Sequence, residues 1–293
     1  MPQKLISEMG YVAFQSQDIE CSIQHATEIL GLSEVYRSGS SAILSSTGSG
    51  KELVYTDSPQ NAVDRLGLVA PSNAAIAEIY KRVKAAGYQI LGTEPFNDQA
   101  DGGFVFVGPE GYIFDIYLRR QPDGVRVGGL GPDRFGHINL HPKNLQAMLA
   151  FFVDLLDFKV SDIIGDDFAY FLRCNPEHHG IALIKGNGWL HHHAWQVQSV
   201  ADLTRLADRL DDAGESLLMG PVRHGAGHNI AAYYVEPSGA VVELYADMEM
   251  IYDDERPPTI WSRDDRRWAT RWSVYDFTEF RSHGIFPAKE PIR

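Results

Sequence analysis

Cysteine is scarce in this chain: two residues among 293, Cys21 and Cys174. That excludes a disulfide framework and leaves a thiolate metal site poorly supplied. Both are expected as buried, reduced thiols, since a free cysteine packs as a small hydrophobe. Long apolar runs are also lacking. Nothing approaches the roughly 18 residues of a membrane span, and the opening MPQKLISEMGYVAF has no basic segment leading into an apolar one. Positive charge is in deficit, with 26 Lys and Arg against 39 Asp and Glu, a formal charge of −13. The two signs are interspersed, which disfavours nucleic acid and anionic membrane as partners. These absences predict a cytoplasmic protein with no nucleic-acid or membrane partner.

What is present is a duplication. Residues 119–132 (RRQPDGVRVGGLGP) have no apolar period and read as a linker. The flanks resemble each other: residues 109–117 read PEGYIFDIY and residues 237–245 read PSGAVVELY. Each has a Pro-X-Gly turn, alternating apolar residues, an acid and a Tyr. Residues 74–87 and 200–214 both show helical apolar spacing with a terminal glycine. Each half splits again. In the second, 135–141 reads as a strand and 144–156 as an amphipathic helix. Strands follow at 159–163, 168–174 and 180–184, then 190–197, a helix from Val200, and strands at 230–235 and 241–245. The first half fits the same plan, with a strand at 10–14 and a helix at 19–30. The predicted fold is α+β: four repeated βαβββ modules paired into two cup-shaped mixed-sheet domains, 1–120 and 133–248. A tail, 249–293, is expected to wrap the surface or pack at a subunit contact.

Aligning the halves sets Tyr11 opposite His137, Arg65 opposite His192 and Asp115 opposite Glu243. A cation beside one carboxylate is no metal site, so only the second half is expected to carry metal. His137, His192 and Glu243 each sit in a short apolar run where a strand would point them inward. Strand alternation sends His191 and His193 to one face and His192 to the other. Two imidazoles and a carboxylate from separate strands suit Fe(II) or Mn(II) with open positions; Zn(II) takes the same ligands. Around them, His179 is a candidate for proton transfer. Tyr233 and His224 face the same cavity if their hairpin returns across it, and Asn139 shares the strand face of His137.

The segments GHINL, CNPEHHGIAL, LHHHAW, RHGAGHNIAAYYVEPSG and VVELYAD resemble, in order and spacing, the type I extradiol ring-cleavage dioxygenases of the vicinal-oxygen-chelate superfamily. The resemblance spans nearly the whole chain, in the two-domain form with an inactive first half. It implies cleavage of a catecholic ring by O2 at Fe(II), or at Mn(II) as in some members. It makes His137, His192 and Glu243 the metal ligands and His179 the acid/base. Tyr233 and His224 become partners of the substrate hydroxyls, and a homo-oligomer is implied. Asn139 is similar to members resembling homoprotocatechuate dioxygenase, whereas HHGIAL looks like the biphenyl-diol branch, so the substrate stays open. The alternatives are an oxygen-independent lyase, isomerase or transferase of the superfamily, or a metal-free small-molecule binder.

Overall fold

Apolar-rich runs, buried along most of their length, build the central strands, and a polar side chain opens each helix. A computed structural model describes residues 4–120, 124 and 131–292. Of the expected linker, 121–123 and 125–130 lie outside the described residues. The first half holds β1 (Glu8–Ser16), α1 (Ile19–His25), β2 (Ser33–Arg37), β3 (Ser41–Ser45), β4 (Leu53–Asp57), β5 (Ala62–Val69), α2 (Asn73–Ala85), β6 (Gln89–Gly92), β7 (Ala100–Val107) and β8 (Ile113–Arg119). The second holds β9 (Arg134–His141), α3 (Leu145–Ala150), β10 (Lys159–Ile164), β11 (Ala169–Arg173), β12 (Ile181–Ile184), β13 (Trp189–Gln196), α4 (Val200–Asp212), β14 (Met219–Arg223), β15 (Ile230–Val235), β16 (Val241–Ala246) and β17 (Thr259–Trp261). Asp18, Ser72 and Asn144 each accept an amide hydrogen bond at a helix start, and Ser199 with Asp202 forms a capping box.

The first sheet runs β2-β3-β4-β1-β5-β8-β7-β6. The second, read from its far edge, runs β17-β10-β11-β12-β9-β13-β16-β15-β14. Apart from the added β17, it is the same order one half later, and the α+β architecture of two mixed sheets is the one expected. Register agrees residue by residue. Tyr11 pairs with Gly67, and Gly67 with Asp115. His137 pairs with Ala194, and Ala194 with Glu243. Arg65 and His192 each lie two residues before the middle member, so the three alignments drawn from sequence hold in space.

A matching close approach accompanies this register. A Cβ on Gly136 would sit 2.1 Å from the Tyr245 hydroxyl, and one on Gly10 would sit 2.3 Å from the Tyr117 hydroxyl. Both tyrosines are buried, so neither ring has free space to enter. Gly136→Ala should therefore destabilise the protein by about 1–3 kcal/mol through overpacking, measured by urea unfolding. An unchanged midpoint would show that Tyr245 moves freely.

Four details differ from expectation. The helices over 19–30 and 144–156 each finish in a wider π-turn, Ala26–Leu30 and Phe151–Leu155. In the second, adjacent Phe151 and Phe152 both meet Phe114, at ring separations of 4.9 and 5.9 Å. β14 was hidden by its Gly220 and Pro221; as the edge strand it tolerates a residue lacking an N–H. Cys21 is exposed while Cys174 is buried. The buried face of α1 carries Ser22, Ile23 and His25, which leaves Cys21 on the other side.

The fourth concerns the tail, which wraps the surface as one of its two expected placements had it but also joins the second sheet and lines the cavity. It returns over the second sheet, adds β17 beside β10, pairs Ile285 with Leu190 and reaches the first domain, where Pro287 bridges to Val63. Arg65 Nη1 there donates to the Ile292 carbonyl at 2.9 Å. The tail thus covers one cup and closes against the other. No helix among the described residues is long and apolar enough to cross a membrane.

Candidate metal centre

Three central strands of the second sheet deliver the cluster: β9 carries His137, β13 His192 and β16 Glu243. All three are buried. His137 Nε2 and His192 Nε2 each lie 3.1 Å from Glu243 Oε2, and the three ligand atoms lie within 4.8 Å of one another. Metal bonds of about 2.1 Å at right angles separate neighbouring ligands by about 3 Å, so the donor set and spacing fit a divalent ion. Among the described residues no other group of three His, Cys, Asp or Glu meets at this spacing. In the first domain, Tyr11 donates to Asp115 Oδ2 at 2.5 Å and Arg65 Nε donates to the Tyr11 hydroxyl at 3.0 Å. A hydrogen-bonded triad fills the equivalent place.

Burial governs the charges. It raises the cost of an ionised Glu243, but His137 and His192 together outweigh it and hold the carboxyl well below its usual range. Burial pulls His192 down to about 4, against the opposing pull of Glu243. A neutral imidazole offers its lone pair to a metal.

Local backbone detail selects which nitrogen is offered. The register slips between Leu190 and His192 opposite consecutive β9 residues, making His191 the extra residue of a β-bulge. Simple alternation therefore fails: His191 stacks on His141, whereas His193 packs on Phe14 of the first domain. His191 Nε2 lies 2.7 Å from the Phe280 carbonyl, which only accepts, so that nitrogen carries hydrogen. Burial holds His191 neutral, well below its usual pKa. Its Nδ1 must then accept from His192 Nδ1, 2.9 Å away, leaving His192 Nε2 unprotonated toward Glu243. Such outer partners orient metal-binding histidines. On the far side of the cluster, Asn229 Nδ2 donates to Glu243 Oε1 at 2.9 Å.

A cavity of about 630 Å³, its mouth included, opens over the cluster. Every residue singled out from sequence lines it: His137, His192, Glu243, His179, Tyr233, His224 and Asn139. The His179 ring lies 4.3 Å from that of His137. Tyr233 is paired with Glu243 across β15 and β16, and its hydroxyl lies 2.7 Å from His224 Nε2. His224 Nδ1 faces the Ala269 carbonyl at 2.5 Å, so Nε2 accepts from Tyr233. Burial lowers the pKa of His179 well below normal, lowers that of His224 and raises that of Tyr233 well above 10. Asn139 Oδ1 is buried without a partner.

Sequence reasoning missed Asn229 and His141, and named the tail only as a group that could shape the pocket; its Trp268, Phe277, Phe280 and Arg281 line the cavity beside them. Asn229, inside RHGAGHNI, carried a signal in its place one strand from Glu243. The tail residues carried none, because no period ties them to the sheet. Of Trp189, Trp195 and Phe171, the aromatic residues that the sequence offered for the pocket, Phe171 lines the cavity while Trp189 and Trp195 are not among its lining residues.

Residues 134–244 match the Glyoxalase/Bleomycin resistance protein/Dioxygenase superfamily, and the chain carries a domain of that superfamily. Within it, the chain is similar to a manganese-dependent 2,3-dihydroxybiphenyl 1,2-dioxygenase of Geobacillus genomosp. 3, 26% identical over 91% of this chain and 93% of that protein. It is also similar to the Mn(II)-bound glyoxalase from Novosphingobium aromaticivorans, with a TM-score of 0.85 and 29% identity over 98% and 95% of the two chains. Homoprotocatechuate 2,3-dioxygenase from Arthrobacter globiformis shares the fold, with a TM-score of 0.90, 20% identity and coverage of 100% and 97%.

Proposed function

We propose that this protein cleaves a catecholic ring beside its adjacent hydroxyls, adding both atoms of O2, at one Fe(II) or Mn(II) held by His137, His192 and Glu243. One observation carries this reading. The three-ligand cluster and four further polar side chains, His179, His224, Tyr233 and Asn139, face a single cavity. Fe(II) or Mn(II) bound there supplies open positions at which two catechol oxygens and O2 are brought together.

The chain's own residues do the rest. Tyr233 and His224 form a linked pair that hydrogen-bonds a substrate hydroxyl. His179, neutral in its buried setting, takes a proton from the catechol and returns it to the product oxygen. Asn139 offers a buried amide to polarised oxygen. The aromatic tail residues exclude water, which strengthens each of these contacts. A cytoplasmic homo-oligomer completes the proposal; sedimentation analysis checks the subunit number.

The test is separate anaerobic loading of metal-free protein with Fe(II) and with Mn(II), followed by air and catechols. One bound metal per chain and a yellow ring-opened product from one loading identify the working ion; bound metal without product from either contradicts the proposal. A second reading, turnover without oxygen, is favoured by the likeness to a Mn(II)-bound glyoxalase. It predicts product formation under strict anaerobiosis.

Asn229 gives a quantitative check. Asn229→Ala removes the hydrogen bond to Glu243 Oε1 and should weaken metal binding about 10- to 100-fold, read by competition with a chelator. Unchanged affinity would make Asn229 incidental to the centre.

A further inference from the structure

Behind His179, away from the cluster, lies a second buried pair that the reaction as described leaves unused. His178 and Asp162 are both buried. His178 Nε2 lies 3.1 Å from Asp162 Oδ1, with Glu249 Oε2 next at 3.9 Å. Trp261 Nε1 donates to Asp162 Oδ2 at 2.7 Å and Arg256 Nη2 to Oδ1 at 3.3 Å. Asp162 is thus anchored by two donors from the tail. On its other side, His178 Nδ1 lies 3.0 Å from His179 Nδ1. His178 Nε2 is buried and makes no hydrogen bond of good geometry, but the charged atoms nearest it are the carboxylate oxygens of Asp162 and Glu249, and a lone pair there would be repelled.

We infer that Asp162 and His178 are positioning residues that set the tautomer of His179. Asp162 requires hydrogen on His178 Nε2. In a neutral imidazole that leaves His178 Nδ1 as an acceptor. His179 Nδ1, 3.0 Å away, must then carry hydrogen and donate to it. The remaining nitrogen, His179 Nε2, is left with a free lone pair for the cavity. The ring arrives in the base form, oriented, and able to hold one added proton at Nε2. The Phe280 carbonyl, His191 and His192 repeat the same logic on β13. The inference rests on the proposed role of His179, but the state of its ring is observable without turnover.

The test compares His178→Leu with His178→Asn in the full chain. Leucine removes the acceptor. Asparagine can place its Oδ1 where the histidine Nδ1 stood and still accept from His179. In metal-free protein labelled with ¹⁵N-histidine, His179 should show hydrogen on Nδ1 in the natural chain and in His178→Asn. It should lose that preference in His178→Leu. In metal-loaded protein, kcat should fall up to about 100-fold in His178→Leu, with KM and bound metal little changed, and should largely recover in His178→Asn. A His179 that keeps hydrogen on Nδ1 in His178→Leu overturns the inference, as does an asparagine variant no better than leucine. If no form cleaves any catechol, the functional reading fails while the ring assignment is still decided by the spectra.

Discussion

Glu243→Ala will hold no stoichiometric metal, and its ring cleavage will fall by at least about 1,000-fold. The reason is local. Glu243 is the sole carboxylate of the cluster; it touches both imidazoles at 3.1 Å and is buried. Removing it leaves two imidazoles and no negative charge to balance a divalent ion. A bound metal is worth several kcal/mol in the transition state, and each 1.4 kcal/mol or so is tenfold in rate. Metal analysis after gel filtration, with circular dichroism to confirm the fold, reads the result. A variant that keeps one metal per chain would remove Glu243 from the coordination sphere.

His179→Phe separates proton transfer from metal binding. His179 lies beside the cluster, its ring 4.3 Å from that of His137, but its Nδ1 is taken by His178. Phenylalanine fills similar space and keeps the contact with Phe171, whose ring lies 5.1 Å away. Turnover should fall about 100- to 10,000-fold, the ordinary share of a general acid/base, with metal content unchanged. Equal loss of metal would make His179 a ligand or a structural support. The two variants are informative together, because the first predicts loss of both properties and the second loss of one.

The sheets were legible because their signals are local and were met twice. A Pro-X-Gly turn followed by an alternating run ending in acid-X-Tyr marks β8 and β16. Glycine follows α2 and α4, where Gly87 and Gly214 adopt φ of +80° and +76°. Once the halves were aligned, inward-facing places could be transferred between them, which is how His137, His192 and Glu243 were picked out of 11 histidines and 39 acids. What was not legible depends on long-range packing. A bulge at His191 breaks the two-residue period and sets neighbouring histidines side by side. The tail crosses the cavity with no periodicity to announce it, yet its carbonyls at Ala269 and Phe280 face His224 and His191. Asp162, on β10, reaches His178 in the loop before β12, and no spacing in the chain links them.

The most direct test of the central claim is oxygen consumption by the metal-loaded protein. The catechols are 3-methylcatechol, 4-methylcatechol, 3,4-dihydroxyphenylacetate and 2,3-dihydroxybiphenyl, with His137→Ala run alongside. The account predicts one O2 consumed for each ring opened with at least one of them, a yellow product, and neither signal in the variant. Metal bound at one per chain with no oxygen uptake across the panel would contradict it and shift the assignment to an oxygen-independent metalloenzyme.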